Sequence, residues 1–147
     1  MSFYEKLAYA RTNPVFGKLA YLLLKLLGVE IPRSVRLGKG LLLHHGGMGI
    51  VIHPASELGQ NVSIYPGVTL GRADVFRPAS ASKFRRIIIG DDVILGSGAK
   101  VLGDDGELRV GKGTVLGANA VLLESTGENE IWAGVPARKV GMRDPLV

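Results

Sequence analysis

From residue 31 onward the apolar residues of this chain fall on a grid of six. Ile31, Leu37 and Leu43 form one set, Ile52, Leu58, Ile64 and Leu70 a second, Ile89, Leu95 and Val101 a third, and Val110, Leu116 and Leu122 a fourth. Glycine follows the anchor at Gly38, Gly59, Gly71, Gly90, Gly96, Gly111 and Gly117, and a small or aliphatic residue stands four places after it at Val35, Val62, Val68, Val93, Ala99 and Ala120. A six-residue period fits neither the 3.6 of an amphipathic helix nor the 2.0 of a half-buried strand. It fits a parallel β-helix, in which each hexad supplies one short strand and one corner. Anchors point inward, glycines ease the bends, and stacked coils bury a continuous aliphatic column. The expected fold is an all-β solenoid.

The frame breaks three times. Spacings of nine between Leu43 and Ile52, and between Val101 and Val110, predict small corner bulges. The spacing of nineteen between Leu70 and Ile89 encloses RADVFRPASASKFRR, an excursion at 72–86 without hexad pattern. Excursions from a regular scaffold are where sites are built.

Ahead of the repeats, residues 1–29 carry apolar residues at helical spacing: Tyr4, Leu7 and Ala8, then Val15, Phe16, Leu19, Ala20, Leu23, Leu24 and Leu27. Asn13 is expected to cap a second helix whose first position is Pro14 and which ends at Gly28. The organisation is thus a helical segment at 1–29, a solenoid at 30–141 and a tail at 142–147. The longest apolar run, Leu19 to Leu24, is far short of the roughly 20 residues that span a bilayer, and no signal-peptide cleavage site follows it. The favoured reading packs the apolar face on the main domain or a neighbouring subunit. The alternative uses Lys6, Arg11, Lys18 and Lys25 to lay the helix on an anionic membrane surface.

There are no cysteines, which removes thiolate chemistry and Cys-based zinc sites and makes the cytoplasm, including the inner face of its membrane, the expected setting. A formal charge of +5 raises the question of nucleic acid. The basic clusters, Arg72, Arg77, Lys83, Arg85 and Arg86, then Arg138, Lys139 and Arg143, neither interleave aromatics nor lie on a recognition helix, so no nucleic-acid partner is expected.

The stretches IPRSVRLGKGLLLHHGGMGIVIHPASELGQNVSIYPGVTLG, IIIGDDVILGSGAKVLG, VGKGTVLGANAVL and AGVPARKVG resemble the hexapeptide-repeat acyltransferases of the serine acetyltransferase-like branch, over almost everything after residue 29. The resemblance implies a left-handed parallel β-helix, a homotrimer with active sites between subunits, and acetyl-CoA as co-substrate, with no metal. It places His45 of GKGLLLHH at the family's catalytic base. Glu30, fifteen residues earlier, stands where the family has the acid that orients this histidine, usually Asp. A carboxylate there would fix the tautomer and stabilise the imidazolium formed on proton abstraction. By the same resemblance Gly71, Ser97, Gly98, Ala99 and Ala118 line a pantetheine groove, and Lys100, Arg138 and Lys139 face the coenzyme phosphates. One more residue separates His45 from Gly49 than in serine acetyltransferases.

The acceptor is where the chain departs from that branch. Only about thirty residues precede the repeats, where serine acetyltransferases carry a large helical domain. Their Asp before the catalytic histidine is His44 here, which removes an anion from the substrate ammonium. Arg85 matches the substrate-loop arginine and Arg86 replaces the histidine beside it, and two arginines could hydrogen-bond several sugar hydroxyls. The expected acceptor is therefore a saccharide or sugar-conjugate hydroxyl, as in the short polysaccharide O-acetyltransferases, with serine the alternative and a non-catalytic scaffold a second. Zinc-dependent carbonic anhydrase chemistry is disfavoured because strand alternation would send His44 and His45 to opposite faces, with His53 across a bulge. Trp132 is expected to pack the end of the solenoid.

Overall fold

The computed structural model describes residues 1–144; the remainder of the expected tail, 145–147, lies outside the described residues. Helices α1 (Phe3–Ala10) and α2 (Gly17–Leu26) precede the coil. Its first turn runs through β1 (Val29–Glu30), β2 (Arg36–Leu37) and β3 (Leu42–Leu43), and its second through β4 (Ile50–Ile52), β5 (Ser56–Leu58) and β6 (Ser63–Ile64). The third holds β7 (Thr69–Arg72), β8 (Lys83–Ile89) and β9 (Ile94–Leu95), and the fourth β10 (Lys100–Gly103), β11 (Asp105–Val110) and β12 (Val115–Leu116). After β13 (Val121–Leu122) and β14 (Glu130–Ala133), β15 (Arg138–Met142) folds back antiparallel onto β14. Equivalent strands of successive turns pair in parallel and build three faces, A (β1-β4-β7-β10-β13), B (β2-β5-β8-β11) and C (β3-β6-β9-β12-β14-β15). The fold is a left-handed parallel β-helix with a short helical segment before it.

The hexad grid becomes the core directly. On face A, Ile52, Leu70, Val101 and Leu122 are in register; on face B, Leu37, Leu58, Ile89 and Val110; on face C, Leu43, Ile64, Leu95 and Leu116. Every anchor is buried except Leu37, which is half-buried, and the six small residues four places on are buried as well. Trp132 pairs in register with Leu116 and ends the third column.

Two of the frame breaks are one feature. The excursion is a loop only over 73–82; Lys83 to Arg86 already belong to β8, which pairs with the extended start of β11 from Asp105. The spacing of nine before Val110 is therefore the partner strand of the excursion and not the corner bulge expected, because a lone extended β8 would leave its backbone unpaired.

A solenoid's first coil exposes unpaired strand edges, and α1 covers them. The Tyr9 hydroxyl donates to Gly38 O at 2.7 Å and accepts from the Leu41 N–H at 3.0 Å, while Glu5 accepts from the Leu43 N–H at 2.9 Å. Arg11 is buried, and its guanidinium donates to the carbonyls of Ala8, Pro32 and Val35, so it ties the helices to the coil and is not the surface cation expected. Asn13 caps the Pro14–Phe16 turn, its Oδ1 accepting from the N–H groups of Val15 and Phe16; α2 proper starts at Gly17. Among the described residues no helix is long and apolar enough to cross a membrane.

Burial pushes the Arg11 pKa down to about 10, which still leaves it charged at neutral pH. Arg11→Met would strand three carbonyls and should cost about 2–4 kcal/mol, measured by denaturant unfolding. Burial raises the Glu5 carboxyl, but hydrogen bonds from Leu43 and Ser2 outweigh it and hold it below the usual carboxylate range. A depressed carboxyl stabilises above its unfolded pKa of ~4.3, and that stability is lost as pH falls through the folded value. Thermal melts of Glu5→Gln should therefore show a flatter decline below about pH 4.3 than the parent protein.

Candidate functional site

The corner between faces C and A, just after β3, carries both adjacent histidines. His44 to Gly47 form a short 3-10 turn and not the strand end that alternation presupposed. His45 takes a left-handed conformation (φ 53°, ψ 32°), as do Gly46, Gly47 and Gly49. Asn61, Asp92, Asn119 and Asn129 take the same conformation at other turns and bends, so the geometry belongs to the repeat, and His45 differs in placing an imidazole there. His45 is exposed, and among the described residues no hydrogen bond or ion pair engages its imidazole. His44 is half-buried and lies flat on Tyr65, ring centroids 4.1 Å apart. Beneath this corner, the Gly49 N–H donates to Gly28 O at 2.7 Å, which stacks the histidine turn on the turn that leads into β1 and Glu30.

Glu30 pairs with Lys25 at 3.3 Å. It also borders an open groove of about 520 Å³ along face A, walled by Val51, His53, Arg72, Val75 and Leu102. Gly71 forms its floor, between His53 and Leu102 on the neighbouring turns. His53, considered from the sequence as a third zinc ligand, faces this groove. Its Nδ1 accepts from the Ala55 N–H at 3.1 Å, its ring meets Phe84 edge-on, and burial followed by the charge of Arg72 holds its pKa below the usual histidine value. A neutral imidazole in an apolar groove is the chemistry of a base or hydrogen-bond donor. The signal was present in the sequence: the residue after each anchor points outward, so His53 follows from Ile52 as Gly71 does from Leu70. His53 and His45 occupy opposite ends of β4.

Several candidates prove to be structural. Arg86, expected to meet the substrate, is held between Glu57 (2.9 Å) and Glu107 (2.6 Å), two carboxylates that engage its guanidinium fork. Arg85 stays exposed beside Ser34, Arg36 and Pro54. The Lys100 ammonium donates to the carbonyls of Gly67 (2.7 Å) and Gly98 (2.8 Å), so it stitches two coils and does not reach for a phosphate. Ala99 is fully buried with both backbone groups bonded inside the coil, which removes it from any groove. Gly98 is required for another reason: the place of its absent side chain is taken by the Asn119 Oδ1 of the next corner. Ser97 and Ala118 remain exposed at the same corner. Lys139 pairs with Glu130 at 3.1 Å, whereas Arg138 is exposed and donates to the adjacent Ala137 carbonyl.

No protein-family model matches the chain. Serine acetyltransferase from Helicobacter pylori is 38% identical over 113 residues, 77% of this chain and 61% of that enzyme. Two solved structures have the same fold along nearly the whole chain. Neisseria gonorrhoeae serine acetyltransferase in complex with serine has a TM-score of 0.75 at 30% identity, covering 94% of this chain and 55% of that one. Brucella abortus serine acetyltransferase in complex with coenzyme A has a TM-score of 0.74 at 30% identity, covering 96% and 54%. The chain is thus similar to serine acetyltransferases, and it spans between about half and three fifths of the length of these relatives. That finding overturns the saccharide acceptor and the polysaccharide role expected with it. The expectation had leaned on His44 in place of one Asp and on the adjacent Arg85 and Arg86, and the loss of one charge does not define a new substrate.

The excursion is latched to the coil by Asp74, which accepts from Arg72 Nε at 2.9 Å; that bond holds its carboxyl below the usual range. Arg72 also donates to the carbonyls of Asp74 and Arg77. Asp74→Ala should free the loop at 73–82, so that limited proteolysis cuts there about tenfold faster, with the coil intact by circular dichroism.

Proposed function

We propose that this chain is an acetyl-CoA-dependent O-acetyltransferase acting on the hydroxyl of serine, with His45 as general base. The observation that carries the reading is the exposed, unengaged His45 imidazole on a left-handed corner, within a β-helix similar throughout to serine acetyltransferases. His45 takes the proton of the serine hydroxyl, whose oxygen attacks the thioester carbonyl. The tetrahedral intermediate collapses with departure of the coenzyme thiolate, which receives the proton from the imidazolium. Glu30, in the strand that follows the turn stacked beneath, orients and stabilises that imidazolium once Lys25 is displaced. Arg85 meets the serine carboxylate, and His44 on Tyr65 forms a wall of the acceptor pocket.

The face A groove, floored by Gly71 and continued past the corner at Ser97, Gly98 and Ala118, takes the pantetheine arm. Arg138, with Lys139 beside it, meets the coenzyme phosphates. Subunits associate as a homotrimer, so that this half-open groove is closed by a neighbour.

Purified protein with acetyl-CoA and L-serine should release free thiol. His45→Ala should lower the rate by about 100- to 10,000-fold with the melting temperature unchanged, because a positioned base contributes that much. Thiol release unaffected by His45→Ala, but abolished by His53→Ala, would move the base to the groove histidine.

A further inference from the structure

Helix α2 is apolar on a side that no described residue covers. Ala20 and Leu24 pack inward, against α1 and the start of β1, and are buried. Phe16, Leu19, Leu22, Leu23, Leu26 and Leu27 are exposed, Phe16 to 65% and Leu26 to 76%. At 3.6 residues per turn, Leu19, Leu22, Leu23 and Leu26 lie opposite the buried side, while Lys18 and Lys25 sit together on one flank. A helix apolar on both its inner and its outer side is one whose outer side has a partner.

Charge identifies that partner. Residues 1–29 contain one acid, Glu5, and it is buried against the first coil. Lys6, Lys18 and Lys25 are all exposed, and among the described residues Lys25 alone is engaged, by Glu30. Arg11, the remaining base, is withdrawn into the core. The outer surface of the segment is therefore leucine and phenylalanine bordered by ammonium groups without a single exposed carboxylate. A second protein surface would have to bring its own acids to such a rim; a bilayer of anionic phospholipid offers them throughout, above an acyl boundary that accepts the leucines.

We propose that α2 docks this chain in the plane of an anionic phospholipid membrane, with Leu19, Leu22, Leu23 and Leu26 in the acyl boundary and Lys18 and Lys25 at the phosphates. Ten residues are too few to cross the bilayer, so the attachment is peripheral and reversible. The inference does not depend on which acceptor the site takes.

The test is co-sedimentation of the full chain with vesicles of phosphatidylglycerol and phosphatidylcholine, against phosphatidylcholine alone. Binding is expected only to the anionic vesicles. Leu19→Ser/Leu26→Ser should abolish it, and Lys18→Glu should weaken it about fivefold or more, with the effect shrinking at high salt. Circular dichroism and melting temperature verify that the variants are folded, which surface leucine-to-serine changes leave intact. No binding to anionic vesicles, or equal binding to neutral ones, overturns the proposal. So does a Leu19→Ser/Leu26→Ser protein that still binds vesicles but has lost a subunit by light scattering, since the helix would then be covered by a second copy of the chain.

Discussion

The inward aliphatic anchor repeated every six residues is the constraint on which everything else rests. Three columns of Leu, Ile and Val, one per face, are set in register by parallel hydrogen bonding, and each is continuous from the first coil to the last. Because successive coils pair strand on strand, no coil can shift without moving its neighbours' hydrogen bonds as well as its own anchors. The outer surface is then free to vary. A histidine turn, a strand excursion or a missing side chain at Gly71 can be added to a corner or face without disturbing the core, and each of those additions lies where the candidate site is found.

The two ends of the column need separate solutions. At the start, Glu5, Tyr9 and Arg11 satisfy backbone groups that a preceding coil would otherwise bond. At the end, β15 reverses onto β14, and Trp132 finishes the third column. The start solution has a consequence for the site: α1 bonds to Leu43, the residue immediately before the histidine turn, and Tyr4 packs against Gly46 within it. The helices that cap the fold therefore also hold the corner that carries His45.

Fold and core were legible because a period of six has one physical solution, and every anchor it named is buried except Leu37, which is half-buried. The excursion was legible as a break in that period but not as a strand, since the pairing of Lys83 with Asp105 is long-range and leaves no local pattern. Side-chain roles were the least legible. Arg86, Lys100 and Arg11 all read as surface charges, and only the coordinates show which carboxylates and carbonyls stand within reach. His53 was missed for the opposite reason: its outward parity was present in the repeat, but the groove it faces is assembled from residues of neighbouring turns, Gly71 and Leu102 among them. The acceptor was misread at His44, where a departure from the family pattern was treated as a change of substrate.

The proposed reaction is acetyl transfer to serine. Its most direct test is mass spectrometry of the products formed when the purified chain receives acetyl-CoA with an equimolar mixture of L-serine, nucleotide sugars and oligosaccharides. O-Acetylserine as the single acetylated product, with coenzyme A released in equal amount, is the result predicted. Acetylation of a sugar in place of serine, or no acetylated product from any acceptor while coenzyme A binds, would contradict it.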